Sequence, residues 1–108
     1  MNRFREKVCL VTGGASGIGA KTAEMFVDQG GKVAVCDVDD ALGNEIVAEI
    51  VAASGGDNAI FIHTDVSDPG ACQGAIDQTV SKFGSVDCVL NSAIKMAPGM
   101  LKDLALED

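Results

Sequence analysis

Three glycines, at positions 13, 17 and 19, stand in the run Thr12-Gly13-Gly14-Ala15-Ser16-Gly17-Ile18-Gly19. Glycines so spaced suit phosphate binding. Gly13 permits a sharp turn off a strand, and Gly17 lets the main chain approach a pyrophosphate with no Cβ in the way. Gly19 lets the following helix pack close to a sheet. Amides freed at the helix start, reinforced by the helix dipole, attract the phosphates. A glycine-rich turn with no ligand is the alternative. The strand pattern before the turn and the helix pattern after it favour phosphate. A mononucleotide P-loop is excluded, because that motif continues Gly-Lys-Ser/Thr and here Ala20 follows Gly19.

Asp37 stands 18 residues after Gly19, where an acidic side chain accepts hydrogen bonds from the adenosine ribose of a dinucleotide. A 2′-phosphate there would meet a carboxylate, with Val38, Asp39 and Asp40 following and no basic neighbour. Like charges ~4 Å apart repel by at most ~4 kcal/mol at a partly exposed site, which favours NAD over NADP. The alternative for Asp37 is a solvated carboxylate capping the next helix, a role that suits Asp39 and Asp40 better. These three carboxylates read as a helix start, not a metal site. His63 is the sole histidine and reads as a packed or rim residue. No metal ligand set is expected. The chain has no tyrosine, which excludes any mechanism needing its own phenol.

The elements that would hold these residues alternate. Lys7 to Thr12 is a continuous apolar run too short for a helix, and fits a buried parallel strand. Ile18 to Gln29 has helical spacing and ends at Gly30-Gly31. Lys32 to Asp37 is a second buried strand. A helix starts near Asp39-Asp40, with Leu42, Ile46, Val47, Ile50 and Val51 as its stripe. Ala59 to Thr64 is a third strand. Ser67-Asp68-Pro69 opens a third helix, with Pro in the first turn. Cys72, Ile76, Val80 and Phe83 are expected on its inner face, and Gly84 closes it. Val86 to Leu90 is a fourth strand. Met96 to Leu101 reads as a loop, and Leu104 to Asp108 as a helix just beginning. The pattern β-α-β-α-β-α-β predicts an α/β fold, a Rossmann-type doubly wound parallel sheet with right-handed crossovers and strand order 3-2-1-4.

The 108 residues read as one domain, dinucleotide-binding and truncated within its pattern. A hydrophobic content of 47% against 22% charged residues indicates a globular chain. The net charge of −8 argues against nucleic acid or an anionic membrane as partner. No run approaches the ~20 apolar residues of a membrane span, and no targeting segment stands out. The cysteines at 9, 36, 72 and 88 form no Cys-x-x-Cys pair. Three lie in apolar strand runs and read as buried thiols, pointing to a reducing cytoplasm.

The glycine run, Asp37, Asp65-Val66 and Asn91-Ser92-Ala93 together resemble the N-terminal part of the short-chain dehydrogenase/reductase family. The resemblance spans Lys7 to Asp108. It implies that Gly13, Ser16, Gly17, Ile18 and Gly19 line the pyrophosphate loop and that Asp37 holds the adenosine ribose. Asp65 and Val66 would frame the adenine, and Asn91 and Ala93 would border the nicotinamide-side ribose. The family's Asn-Asn-Ala-Gly motif is altered here, since Ser92 replaces its second Asn and Ile94 its Gly. For an intact member the resemblance implies hydride transfer between NAD(H) and an alcohol or ketone, within a homo-oligomer. The family's catalytic Ser and Tyr-x-x-x-Lys find no counterpart in these residues, so no catalytic residue is assigned and the chain alone is expected to be inactive. A non-catalytic dinucleotide-binding or interaction module is the alternative. A methyltransferase also uses a glycine loop, but the Gly-x-x-x-Gly-x-Gly spacing and Asn91-Ser92-Ala93 tell against it.

Overall fold

The computed structural model describes residues 5–15 and 17–91. Within them β1 (Val8–Thr12), α1 (Gly17–Asp28), β2 (Lys32–Asp37), α2 (Asp40–Ser54), β3 (Ala59–His63), α3 (Pro69–Phe83) and β4 (Cys88–Asn91) follow in strict alternation. All pairings are parallel, and the order is β3-β2-β1-β4. The expected architecture is therefore the observed one. The boundaries differ by a residue or two at most ends, where frayed turns blur them. The expected loop at 96–101 and the helix beginning at Leu104 lie outside the described residues.

β1 is buried along its whole length. This is why its sequence is a continuous apolar run: helices cover both of its faces. Cys9, Val11, Val33, Val35 and Ala59 pack with Ala23, Phe26 and Val27 of α1 and Ile46 and Ile50 of α2. Leu10, Ala34, Cys36 and Ile62 form the opposite core with Ala75 of α3. Side chains alternate between the two cores along each strand, so Asp37 and His63, register partners, continue the α1/α2 side.

Local signals set the helix ends. Asp39 caps α2, its side chain accepting from the Leu42 amide at 3.0 Å, and Gly55 ends it at φ 76°. Asp68 caps α3, Pro69 occupies its first turn, and Gly84 closes it at φ 94°. The Val8 amide donates to Asp87 Oδ2 at 2.8 Å, holding the entry of β1 beside that of β4.

Three expectations are corrected. The inner face of α3 is Ala75 and Thr79, whereas Ile76 and Val80 are 36% and 43% exposed. Cys72 and Phe83 are half-buried. Small residues meet the sheet, and the larger apolar stripe lies one residue further round the helix. Cys88 is exposed, while Cys9 and Cys36 are buried as expected. The difference is positional: Cys9 and Cys36 lie on strands paired on both sides, whereas β4 pairs only with β1 among the described residues. Leu42, placed in the α2 stripe, is also exposed.

Candidate functional site

The carboxyl ends of the parallel strands share one edge of the sheet, where the glycine turn, Asp37, the residues after His63, and Asn91 all emerge. Ligands of open α/β sheets bind beyond this edge.

The turn leaves β1 at Gly13, whose φ of 66° is a left-handed conformation that glycine adopts without strain. Gly14 then passes against β2. A Cβ there would stand 2.8 Å from Val35 Cγ1 and 3.1 Å from the Val11 carbonyl oxygen. The Gly14 amide donates to the Cys36 carbonyl at 3.1 Å. Gly17 opens α1, and among the described residues beyond its own turn no heavy atom lies within 4 Å of the place a Cβ would take. Ile18 is 77% exposed and Gly19 is buried. The first turn of α1 carries no acidic residue, so no carboxylate within it offsets the partial positive charge of the helix start.

Asp37 is half-buried at the end of β2. Its Oδ2 accepts from the Ala15 amide at 3.1 Å and its Oδ1 from the Asp39 amide at 3.0 Å. Beyond it, His63 Nδ1 lies 2.6 Å from Asp40 Oδ1, both side chains being exposed. Of the two expected readings of His63, packed or rim, the exposed side chain fits the rim. Asp39 and Asp40 divide the helix start between a cap and this pair.

Asp65 follows β3. Its Oδ1 accepts from the Ser67 hydroxyl at 2.7 Å and the Ser67 amide at 3.0 Å. These bonds hold its carboxyl below the usual carboxylate value, and His63 adds to the effect. Val66 is 42% exposed, an apolar surface beside that carboxylate. At the other side of β1, the Thr12 hydroxyl donates to Asn91 Oδ1 at 2.8 Å, tying the ends of β1 and β4 together.

Of the expected site residues, Gly13, Gly17, Ile18, Gly19, Asp37, Asp65, Val66 and Asn91 lie along this edge. Ser16 and Ala93 lie outside the described residues. Sequence reasoning gave no role to Gly14 and none to the Ala15 amide. The first needs the Val35 side chain as neighbour and the second the Asp37 carboxylate, and nothing local in the run announces either. No group of three or more His, Cys, Asp or Glu suited to a metal occurs among the described residues. No helix among them is long and apolar enough to cross a membrane.

Comparison with known proteins agrees with this geometry. Residues 7–108 match the family described as short chain dehydrogenase. A 2,5-dichloro-2,5-cyclohexadiene-1,4-diol dehydrogenase of Sphingobium indicum is 42% identical over 106 residues, covering 98% of this chain and 42% of that protein. Momilactone A synthase of Oryza sativa subsp. japonica is 45% identical over 87 residues, covering 81% of this chain and 30% of that one. The chain therefore spans less than half the length of these relatives. Among solved structures, a short chain dehydrogenase/reductase from Burkholderia phymatum in complex with NAD superposes with TM-score 0.76 at 34% identity, over 82% of this chain and 31% of that one. The C-domain of a bacterial malonyl-CoA reductase with NADP gives TM-score 0.82 at 30% identity, over 85% of this chain and 15% of that one.

Proposed function

The chain belongs to the short-chain dehydrogenase family, and from that premise we propose that it is the NAD(H)-binding portion of an oxidoreductase acting on an alcohol or ketone. The observation that carries this reading is the convergence of the glycine turn, Asp37 and Asp65 on one edge of a parallel sheet. The residues present fit a dinucleotide. Open space at Gly17 admits a diphosphate to the start of α1, where main-chain amides and the dipole favour anions. Asp37 would accept from the adenosine ribose hydroxyls, and its charge disfavours a 2′-phosphate. Asp65 would accept from the exocyclic amine of adenine, with Val66 against the ring. Asn91 would border the second ribose, its side chain already set by Thr12. Ser16 and Ala93, outside the described residues, are assigned to the pyrophosphate loop and the nicotinamide side by the family resemblance alone.

When bound, the nicotinamide supplies hydride chemistry. The role of this stretch is to bind and orient. A proton relay through a phenol cannot come from it, since it contains no tyrosine. The full reaction, its substrate and any homo-oligomer belong to this proposal for the whole protein. The exposed Val89 on β4 favours a second reading, a non-catalytic dinucleotide-binding or interaction module that pairs along that edge. A turnover assay with NAD and a panel of alcohols separates the two in the whole protein.

The binding test is a fluorescence titration with NADH and NADPH. NADH is expected to bind more tightly, and Asp37→Ala to weaken NADH while narrowing the preference. An absence of NADH binding, or unchanged affinity for both cofactors in Asp37→Ala, refutes the assignment.

A further inference from the structure

The Asp37 carboxylate is partly engaged before any ligand arrives. Its bond to the Ala15 amide joins residues 22 apart at 3.1 Å and reaches into the glycine turn. Its other oxygen accepts the Asp39 amide at 3.0 Å, at the start of the connection to α2. The neighbouring Gly14 amide donates to the Cys36 carbonyl at 3.1 Å. The turn is therefore tied to β2 at two consecutive residues, one tie through main chain and one through a charged side chain. Ala15 is only 5% exposed, so water has little access to replace the carboxylate. A buried amide that loses its acceptor forces the chain to rearrange toward another.

Lone-pair accounting extends the point. An ionised carboxylate has about four acceptor positions, and two amides use one on each oxygen. One position per oxygen is left, which matches the two hydroxyls of a vicinal diol without displacing either amide.

We propose that Asp37 is a positioning residue for the glycine turn, its carboxylate holding the Ala15 amide in place so that its loss weakens binding at the diphosphate as well as at the ribose. The diphosphate half of this statement rests on the dinucleotide reading, whereas the clamp is a property of the ligand-free protein. The direction of the effect is diagnostic. Removing a negative charge near an anion site would by itself tighten anion binding, whereas loss of a positioning group loosens it.

Two measurements test the proposal. In the ligand-free chain, hydrogen exchange at the Ala15 amide is compared between wild type and Asp37→Ala, which removes the acceptor. Exchange at Ala15 is expected to be about tenfold faster in Asp37→Ala. An Ala15 amide that exchanges at the wild-type rate in the variant overturns the clamp. Inorganic pyrophosphate is then titrated into wild type, Asp37→Ala and Asp39→Ala, with folding checked by circular dichroism. Asp37→Ala is expected to bind about tenfold more weakly. Asp39→Ala, which removes the α2 cap but not the Ala15 bond, is expected to stay within about twofold of wild type. Equal or tighter pyrophosphate binding by Asp37→Ala overturns the positioning role. A wild type that binds neither pyrophosphate nor NADH refutes the dinucleotide reading and the diphosphate half of the proposal, and amide exchange alone then decides the clamp.

Discussion

Individual side chains in this fold take their chemistry from depth. Burial pushes the Cys36 thiol up to about 11, and burial together with the adjoining Cys88 thiol raises Cys9 further. A thiol whose pKa is raised is protonated at neutral pH, and the protonated form is a poor nucleophile. Cys88 is exposed and Cys72 intermediate. Alkylation with iodoacetamide at pH 8, read by mass spectrometry, should therefore modify Cys88 first and Cys72 next. Cys9 and Cys36 should react only after unfolding. Labelling of Cys36 at the rate of Cys88 in the native chain would contradict the observed burial. The sign of the pH effect follows from the same shift. Unfolded cysteine ionises at a lower pH than buried Cys36, so the unfolded state loses protons first. Stability falls as pH rises past the ordinary thiol value, until Cys36 itself ionises.

Elements depend on close approaches that single residues permit. Gly43 in the first turn of α2 is buried, and a Cβ built there would overlap the Phe61 ring. That contact lets α2 settle onto β3. Gly43→Ala is expected to cost about 1–3 kcal/mol as overpacking outweighs the gain in helix propensity. A urea titration checks this, and an unchanged midpoint would show that Phe61 moves aside freely. Residues such as Gly43 also explain what could be read beforehand. The strands were legible because apolar runs bounded by glycine and aspartate allow few other readings. The α2 and α3 ends were legible because Asp39, Asp68-Pro69 and Gly84 act through local geometry. The inward face of α3 was not. Cys72, Ile76, Val80 and Phe83 form a helical stripe as good as any, but a stripe fixes only a direction on the helix, not what stands opposite. Ala75 and Thr79 face the sheet because α3 lies close to it, and closeness is a tertiary property. Within the site, the residue types and spacing announced the glycines, Asp37 and Asp65. The bond from Ala15 to Asp37 was hidden because it joins segments that meet only once β1 and β2 have paired.

The molecule as a whole presents an uneven surface. Its net charge of −8 favours solubility through mutual repulsion. Against this, Ile76, Val80 and Val89 are exposed on α3 and β4, and β4 has β1 as its one partner among the described residues. An unpaired edge with apolar neighbours is a template for association. The 108-residue chain is expected to self-associate as concentration rises, more strongly in high salt, where the charge repulsion is screened. Sedimentation velocity at two concentrations and two ionic strengths reads this out. A single monomeric species throughout would show that those side chains are covered.

The strand order has a consequence for how the chain is made. β1, synthesised first, ends in the interior of the sheet, with β2 on one flank and β4 on the other. The β2 flank can close first, because β2 ends at Asp37 and follows β1 after a single helix. The β4 flank waits for residues 79 positions away from their partners, as in the Thr12–Asn91 bond, and such distant pairings are the slow ones. A nascent chain would thus carry β1 paired to β2 on one side and bare on the other. Through that interval β1 is the segment a chaperone has most reason to shield.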